Sequence, residues 1–302
     1  MSAITPQEFI AAQEKEEYPL IPEQLEALRV FLTDPTVPIS QVAQDLTRPV
    51  IKLHEEAKKD PDALSNFDHG TLWSSIADAI GKLTDLNDRL VDLVVEIQKI
   101  PDPEGHFASM TDYKQHWNEF AYDFKVPRSD DPERDAKRQA WVNINAFCAK
   151  LSTRGVPVLD ERQRAAWVFK ETLERAPWEQ FHHPDIDEML EEDPDDEVVA
   201  EDCEYELECR DVRVLEYWVP AAAVWMQIDA RGIYKMEGKI SEGDEQGWYP
   251  TTWKGAPGWS KDRFSFWIER FEWISKVTAL KRSTRKVAAD AAESMKKVVE
   301  GN

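Results

Sequence analysis

Three sets of side chains in this sequence have the residue types that bind metals or perform nucleophilic chemistry. In the first set, Asp88, Asp92 and Glu96 are spaced four residues apart. This spacing would align three carboxylates on one helical face, as a magnesium-bound diphosphate requires. The same helix also carries an apolar seam, and exposed carboxylates are the usual outer face of such a helix. We therefore predict no metal at these positions.

The second set is His182, His183, Cys203 and Cys209, and the third is Cys148 alone. Zinc sites have characteristic ligand spacings, whereas these histidines are adjacent and the two later cysteines are six residues apart. Cys148 lies among apolar residues of a predicted helix, where a small buried thiol is the ordinary interpretation. No glycine-rich phosphate-binding string follows a strand. We predict neither a metal nor another cofactor.

The densest aromatic segment lies between Trp248 and Trp273, which holds five of the chain's 12 tryptophans. So much aromatic area must be buried or bound to a ligand. The loop before its helix, residues 238–258, contains five glycines and is predicted to line a pocket. Our candidate ligand-binding residues are Trp248, Tyr249, Trp253, Trp259, Arg263, Trp267 and Arg270. Glu237 is the candidate acid if the site is catalytic.

A packing interpretation of this segment competes with the ligand-binding one. Ser260 is a predicted N-cap, and the large residues after it recur at helical spacing. The buried stripe that this spacing predicts consists of Phe264, Trp267, Phe271 and Ile274. Arg263 and Arg270 are one heptad apart and could hold a carboxylate or phosphate beside an indole ring. We favour packing, with the arginines paired to the local Glu269 or Glu272.

Helix signals run along the whole sequence. Thr5, Pro6 and Glu8 match a capping box with proline at the first helical position. Beyond them, apolar residues alternate in steps of three and four, which predicts one long helix. That seam consists of Ile76, Ala79, Leu83, Leu86, Leu90, Leu93 and Ile97. No segment shows convincing period-two alternation between hairpin turns, so strands are not predicted.

These patterns predict an all-α fold, a single bundle-like domain of at least eight helices with an acidic insertion and a tryptophan-rich loop. Residues 1–105 form an N-terminal helical segment with the long heptad-patterned helix, and residues 106–302 form the remaining helical domain. We expect the two to share one continuous core, because 302 residues allow one large domain or two modest ones.

Residues 179–216 contain 17 Asp or Glu against two Arg. Like charges at this density cannot pack on one another. The simplest interpretation is a solvated, mobile excursion between helices. The other interpretation is a site for a cation or for a basic partner.

Charge and cysteine content restrict the function classes. A net charge of -22 repels phosphate backbones and anionic lipid surfaces, so we expect neither a nucleic-acid nor a membrane partner. No apolar run approaches the length of a membrane span. Three cysteines give no disulfide framework and favour a reducing compartment. The first residues lack the basic and apolar regions of a signal peptide, so we expect a cytoplasmic protein.

Several spaced motifs resemble a known family. Residues 253–267 read Trp-Lys-Gly-Ala-Pro-Gly-Trp-Ser-Lys-Asp-Arg-Phe-Ser-Phe-Trp. They resemble the signature segment of a fungal family called domain of unknown function 3632. Residues 141–151 are similar to its Asn-x-Phe-x-Ala-x-Leu helix, and residues 167–174 and 219–225 are similar to the next two helices.

The resemblance covers about residues 117–295 and implies a mostly helical protein. It brings no agreed activity, cofactor or catalytic residue. Relatives are similar to proteins encoded beside natural-product pathways, which implies a link to small-molecule metabolism. The acidic stretch at 179–216 departs from the family pattern.

Two functions of different classes follow. The first is a non-enzymatic helical protein that binds a protein partner or a small apolar ligand, with pairing into a homodimer as a further option. The alternative is a cofactor-independent isomerase, cyclase or pericyclase, because such chemistry needs mainly a shaped aromatic cavity and one orienting acid or donor. A closed cavity behind the 238–258 loop is expected for the second function.

Overall fold

The described part of the chain is built from α-helices joined by turns and loops. The structure, a computed structural model, describes residues 4–59, 70–102, 104–122, 124–193, 195–240 and 251–301. Within these ranges there are fourteen α-helices and no strand. Two isolated bridges join Arg175 to Thr251 and Gly238 to Trp259. The all-α prediction is confirmed, and the number of helices exceeds the minimum of eight that the sequence predicted.

The contacts that residues of the chain make with one another divide the protein into two compact units. Unit 1 contains residues 1–125 and 139–159, and unit 2 contains residues 126–138 and 160–302. The helices of unit 1 are α1 (Pro6–Gln13), α2 (Pro22–Thr33), α3 (Ile39–Ala57), α4 (Gly70–Lys82), α5 (Asn87–Gln98), α6 (His106–Ser109) and α7 (Thr111–Tyr122). The first turn of α8 (Arg134–Ser152) belongs to unit 2 and its remainder to unit 1. The sequence division at residue 105 concerns a different boundary and stays a prediction.

The remaining helices belong to unit 2. They are α9 (Arg162–Phe169), α10 (Pro184–Glu192), α11 (Glu197–Arg210), α12 (Leu215–Tyr234), α13 (Lys261–Ile274) and α14 (Arg282–Glu300). The axis of the unit is α12, which packs against α9 and α14. Buried alanines at 221–223 of α12 and at 288, 291 and 292 of α14 supply small side chains on both helices. Small side chains allow closer approach of two helix backbones.

The seam of unit 1 is buried except at Leu86, which is half-buried, but the predicted long helix is wrong. Leu83 leaves helical geometry at φ -109° and ψ 75°, and a short 3₁₀ turn separates α4 from α5. The Asn143 side chain amide donates to the Gly81 carbonyl at 2.8 Å and to the Thr84 hydroxyl at 3.0 Å, and so satisfies groups freed by the break. Apolar spacing continues across the break because both helices face the same core, so periodicity alone does not report backbone continuity.

Local start signals agree with the structure. The Thr5 hydroxyl accepts a hydrogen bond from the Glu8 amide at 3.2 Å, and the Glu8 carboxylate accepts one from the Thr5 amide at 2.8 Å. This is the predicted capping box. Pro49 lies inside α3, which continues through it as one helix. No helix in the described ranges is long and apolar enough to cross a membrane.

Candidate functional site

The tryptophan-rich helix forms where the sequence places it. The Ser260 hydroxyl accepts a hydrogen bond from the Arg263 amide at 3.1 Å and caps α13, as predicted. All four residues of the predicted stripe are buried: Phe264, Trp267, Phe271 and Ile274. The Trp267 ring lies 4.8 Å from that of Phe169 and 5.9 Å from that of Trp259, between ring centroids. The packing interpretation therefore describes this face of α13.

A buried glutamate that sequence reasoning missed lies at the centre of this region. After α9, residues Lys170–Glu174 form a π-helical turn, closed by the Arg175 amide donating to the Lys170 carbonyl at 3.0 Å. The wider turn carries Glu174 into the interior, where its side chain is 0% exposed. Single-turn π segments in helical proteins often occur at functional sites. Glu174 has no distinguishing sequence context, so only the fold identifies it.

Three nitrogen donors, two of Arg263 and one of Trp267, converge on the Glu174 carboxylate. Arg263 donates to it from Nε at 2.7 Å and from Nη2 at 2.8 Å, which is a bidentate ion pair. The Trp267 indole donates to the same carboxylate at 2.7 Å. The third guanidinium nitrogen of Arg263, Nη1, donates to the Gly258 carbonyl at 2.9 Å. We call Glu174, Arg263 and Trp267 the Glu174 cluster.

The Glu174 cluster also fastens the loop before α13. The Thr252 amide and hydroxyl donate to the Glu174 backbone carbonyl at 2.6 and 2.7 Å. The Thr251 hydroxyl donates to the carboxylate at 3.3 Å. Buried charges are tolerated when they are paired and hydrogen-bonded, and these contacts meet that requirement. The cluster therefore holds the π turn, residues 251–258 and α13 together.

The other candidate residues of this region lie in different surroundings. The Trp253 indole donates to the Ala256 carbonyl at 2.9 Å, and its ring lies 5.3 Å from that of Phe266. Trp259 is buried. Trp248 and Tyr249 lie outside the described residues. Their role in ligand binding, like that of the whole candidate set, stays a prediction.

Arg270 binds the backbone of the π turn and not the Glu174 carboxylate. Its Nε donates to the Leu173 carbonyl at 2.9 Å, and its guanidinium lies 4.5 Å from the centroid of Trp273. Trp273 stacks on Trp178 with 6.2 Å between ring centroids. Burial lowers the pKa of Arg270 from its ordinary value. The expected local pairing of the arginines is wrong, because Arg263 pairs with Glu174 and Glu272 pairs with Lys296.

The three carboxylates with metal-like spacing are each paired with a cation in unit 1. Asp88 lies 3.0 Å from Lys150 Nζ, Asp92 lies 2.6 Å from Arg154 Nη2, and Glu96 lies 2.6 Å from Lys99 Nζ. The outer-face interpretation accounts for all three. Within the described ranges, His, Cys, Asp and Glu form no group of three or more placed to hold a metal.

The candidate cysteines occupy enclosed positions. Cys148 and Cys203 are buried, and Cys209 is half-buried. Burial raises the pKa of the Cys209 thiol to about 11, and the charges of nearby glutamates act in the same direction. A thiol with so high a pKa carries little thiolate near neutral pH and is a poor nucleophile.

Glu237, the candidate acid of the sequence analysis, is exposed to solvent.

The acidic stretch contains two helices, α10 and α11, where the sequence predicted an excursion between helices, and its mobility stays a prediction. Asp196 caps α11 by accepting from the Val198 amide at 2.8 Å. Ile186 of α10 and Cys203 of α11 are buried. Most carboxylates between them point to solvent, so like charges do not have to pack together. We call residues 181–210, which contain α10 and α11, the acidic helix pair.

One ion pair joins the two ends of the acidic helix pair. Asp185 accepts two hydrogen bonds from Arg210, at 3.0 and 2.6 Å. These bonds hold the pKa of Asp185 at about 2, below its ordinary value of 3.8. Because the folded-state pKa is depressed, the stabilisation is present above pH 3.8 and is lost as the pH falls towards 2.

Acid is therefore expected to loosen α10 from α11. Backbone amides of α10 should exchange faster relative to the rest of unit 2 at about pH 2 than at about pH 5, and Asp185→Asn should remove this difference. Hydrogen exchange followed by NMR measures both. Glu188→Gln removes a charge from the same helix and should keep the wild-type pH response. An unchanged response in Asp185→Asn would show that another group controls the contact.

The fold and its buried cluster define an all-helical protein whose second unit contains the fully buried carboxylate of Glu174. The family model described as "Protein of unknown function (DUF3632)" matches residues 73–271, well over half of the chain. The chain therefore belongs to the DUF3632 family. The matched region begins in α4 and ends in α13, so it includes the Glu174 cluster and the acidic helix pair. No curated protein and no solved structure matches the chain.

Proposed function

We propose that this protein is a non-enzymatic binding protein whose acidic helix pair docks a basic, partly apolar segment of a protein partner. The observation that carries the proposal is the placement of exposed apolar side chains. Eight large apolar side chains are exposed in the described part of the chain, and five of them lie in the acidic helix pair. These five are Phe181, Met189, Leu190, Val198 and Leu207.

The apolar side chains supply anchors for a partner. The Phe181 side chain is 96% exposed, which leaves nearly its whole ring in water. Met189 and Leu190 follow the buried Ile186 at three and four residues, so they extend the apolar face of α10. Apolar patches that a protein leaves exposed mark interaction surfaces, whereas single exposed apolar residues are ordinary. Burial of such anchors provides most of the binding energy of an interface.

The charge of the pair selects the partner. Residues 181–210 carry 14 Asp or Glu against one Arg. A surface of one sign attracts a surface of the opposite sign, raises the association rate and repels acidic competitors. A segment rich in Lys or Arg that also carries apolar residues complements both properties of the pair. The docked segment would thus be basic and amphipathic.

The test compares the wild type and two variants of the tagged full-length chain in extracts of its source cells. The docking variant Phe181→Ser/Val198→Ser removes two exposed anchors of the pair. The control variant Tyr18→Ser removes an exposed aromatic that follows Glu16 and Glu17 in unit 1. Wild type and control should retain the same basic protein. The docking variant should lose it, and salt near 1 M should weaken retention, since the Debye length then falls to about 3 Å.

Equal recovery of one partner by the wild type and the docking variant would refute the acidic helix pair as the docking surface. Recovery that does not weaken with salt would refute charge complementarity. Circular dichroism of both variants checks that unit 2 is folded.

Several finer expectations accompany this proposal. Small apolar ligands, self-association as a homodimer, the cytoplasmic location and the link to fungal natural-product metabolism rest on sequence composition and on the resemblance. The enzymatic alternative also stays a prediction. We place it second because the polar atoms of Arg263 and Trp267 bind Glu174 and the Gly258 carbonyl.

A further inference from the structure

A cleft in unit 2 lies apart from the Glu174 cluster. Its volume is about 320 Å³, which falls within the range of small-molecule sites. Its walls are formed by Val126, Pro127 and Ser129, the start of α8, the end of α11, the turn before α12, the start of α12 and Lys281. We call it the Arg138 cleft.

Two arginines of α8 give the Arg138 cleft its chemistry. Arg134 and Arg138 are one helical turn apart, so their side chains lie on the same face of α8. Burial lowers the pKa of Arg138, and the neighbouring charge of Arg134 lowers it further. The Arg138 side chain is only 13% exposed. Two like charges are thus held together in a partly desolvated place.

Both arginines retain donors that the protein does not use. The Nε atoms of Arg134 and Arg138 are buried and have no hydrogen-bond partner among the described residues. Arg138 reaches Glu216 with Nη1 alone, at a long 3.4 Å. No carboxylate in the described ranges lies within 4.0 Å of Arg134. A buried donor without a partner is costly, and a planar anion would satisfy such donors in pairs.

The acidic residues of the cleft are already engaged. Asp211 accepts from Arg213 at 2.8 and 3.0 Å. Glu208 accepts from the Ser129 amide at 2.8 Å and from its hydroxyl at 2.6 Å. These bonds lower the pKa of Glu208, and the charge of Arg134 lowers it to a smaller extent from a distance.

Glu216 is shared between two cations, since Lys281 Nζ lies 3.3 Å and Arg138 Nη1 lies 3.4 Å from its carboxylate. The lining therefore contains four cations, Arg134, Arg138, Arg213 and Lys281, against three carboxylates. This local excess of one positive charge occurs in a chain of net charge -22. The cleft is suited to one singly charged anion.

The rest of the wall is apolar. Val126, Pro127 and Val214 line it, together with the Tyr205 ring. The Tyr205 hydroxyl donates to the Val126 carbonyl at 2.9 Å, so its one donor is occupied within the wall. A ligand that fills the cleft needs an anionic head beside α8 and a compact apolar body against these side chains.

From this geometry we propose that the Arg138 cleft binds a small organic monocarboxylate with an apolar body. The carboxylate accepts hydrogen bonds from Arg134 and Arg138, and the apolar body contacts Val126, Val214 and the Tyr205 ring. The cleft borders the acidic helix pair at Tyr205 and Glu208, but it uses none of the five exposed apolar side chains proposed as partner anchors. Either proposal can therefore fail without the other.

The test titrates the full-length protein with hexanoate, benzoate, hexanol and inorganic phosphate. Calorimetry measures affinity, and ¹⁵N spectra follow the arginine Nε–H groups, which report binding without any substitution. Hexanoate or benzoate should bind saturably and shift the Nε–H resonances of Arg134 and Arg138. Hexanol should not bind, because it lacks the charge that the two arginines recognise.

Arg134→Met and Arg138→Met keep most of the side-chain length and remove the donors. Each should weaken carboxylate binding by about tenfold or more, as loss of a charge-assisted hydrogen bond requires. Arg154→Met, at an exposed ion pair of unit 1, should leave binding unchanged. Arg134→Met suffices if Arg138→Met does not fold.

Three outcomes would overturn the proposal. The first is no saturable binding of either carboxylate to the wild type. The second is phosphate binding as tightly as hexanoate, which would show that the apolar wall contributes nothing. The third is wild-type affinity in Arg134→Met. The Phe181→Ser/Val198→Ser variant should keep carboxylate binding, which separates this test from that of the acidic helix pair.

Discussion

Glu174→Ala is expected to lower the free energy of unfolding of unit 2 by about 3–5 kcal/mol, the usual cost of removing one member of a buried ion pair. The substitution leaves the guanidinium of Arg263, which is 2% exposed, without its carboxylate. It also removes the acceptor of the Trp267 indole. Urea denaturation followed by tryptophan fluorescence measures the loss.

A matched control separates the buried contact from a general change of charge. Glu179→Ala removes an exposed carboxylate five residues away and should change stability by less than about 0.5 kcal/mol. A double-mutant cycle with Glu174→Leu, Arg263→Met and the double variant sharpens the test. The double variant replaces both charges by apolar groups, so its loss of unfolding free energy should be smaller than the sum of the losses in the two single variants. Additive losses would show that the pair is not coupled.

The stripe of α13 and its Ser260 cap could be predicted from the sequence because both depend on neighbours within a few residues. The Glu174 cluster could not, since Glu174 and Arg263 are 89 positions apart. The π turn that buries Glu174 also has no local sequence signature. Spacing rules assume a regular helix, and a π turn changes which face each later side chain occupies. Arg263 is among the candidate residues, but nothing in the local sequence indicates Glu174 as its partner.

The acidic helix pair shows a different limit of sequence reasoning. Charge density correctly indicates that residues 179–216 cannot pack like charge on like charge. It does not indicate disorder, because a helix needs only a narrow apolar side to dock. Ile186, Cys203 and the Asp185–Arg210 ion pair supply that side. Most of the remaining carboxylates of the acidic helix pair are exposed to water, where helix formation does not desolvate them.

Gly258→Ala is expected to destabilise unit 2 by about 2–5 kcal/mol, which combines the cost of a left-handed residue with that of an overpacked contact. Gly258 has φ +87°, and an added Cβ would lie 2.3 Å from the Gly238 carbonyl oxygen. That oxygen accepts the Trp259 amide at 2.9 Å, and the Gly258 carbonyl accepts from Arg263. The backbone would have to move, and the Glu174 cluster would lose a support.

The partner glycine of this bridge is the control for Gly258→Ala. Gly238 has nearly the same dihedral, φ +86°, but within the described residues no atom lies within 4 Å of its added Cβ. Gly238→Ala should therefore cost only the conformational part, about 1–2 kcal/mol. Denaturation of both variants gives the difference directly. Equal losses would mean that the left-handed backbone alone requires glycine here. A larger loss at Gly258 means that close approach of the two segments sets the requirement, and that this bridge helps to position Arg263 against Glu174.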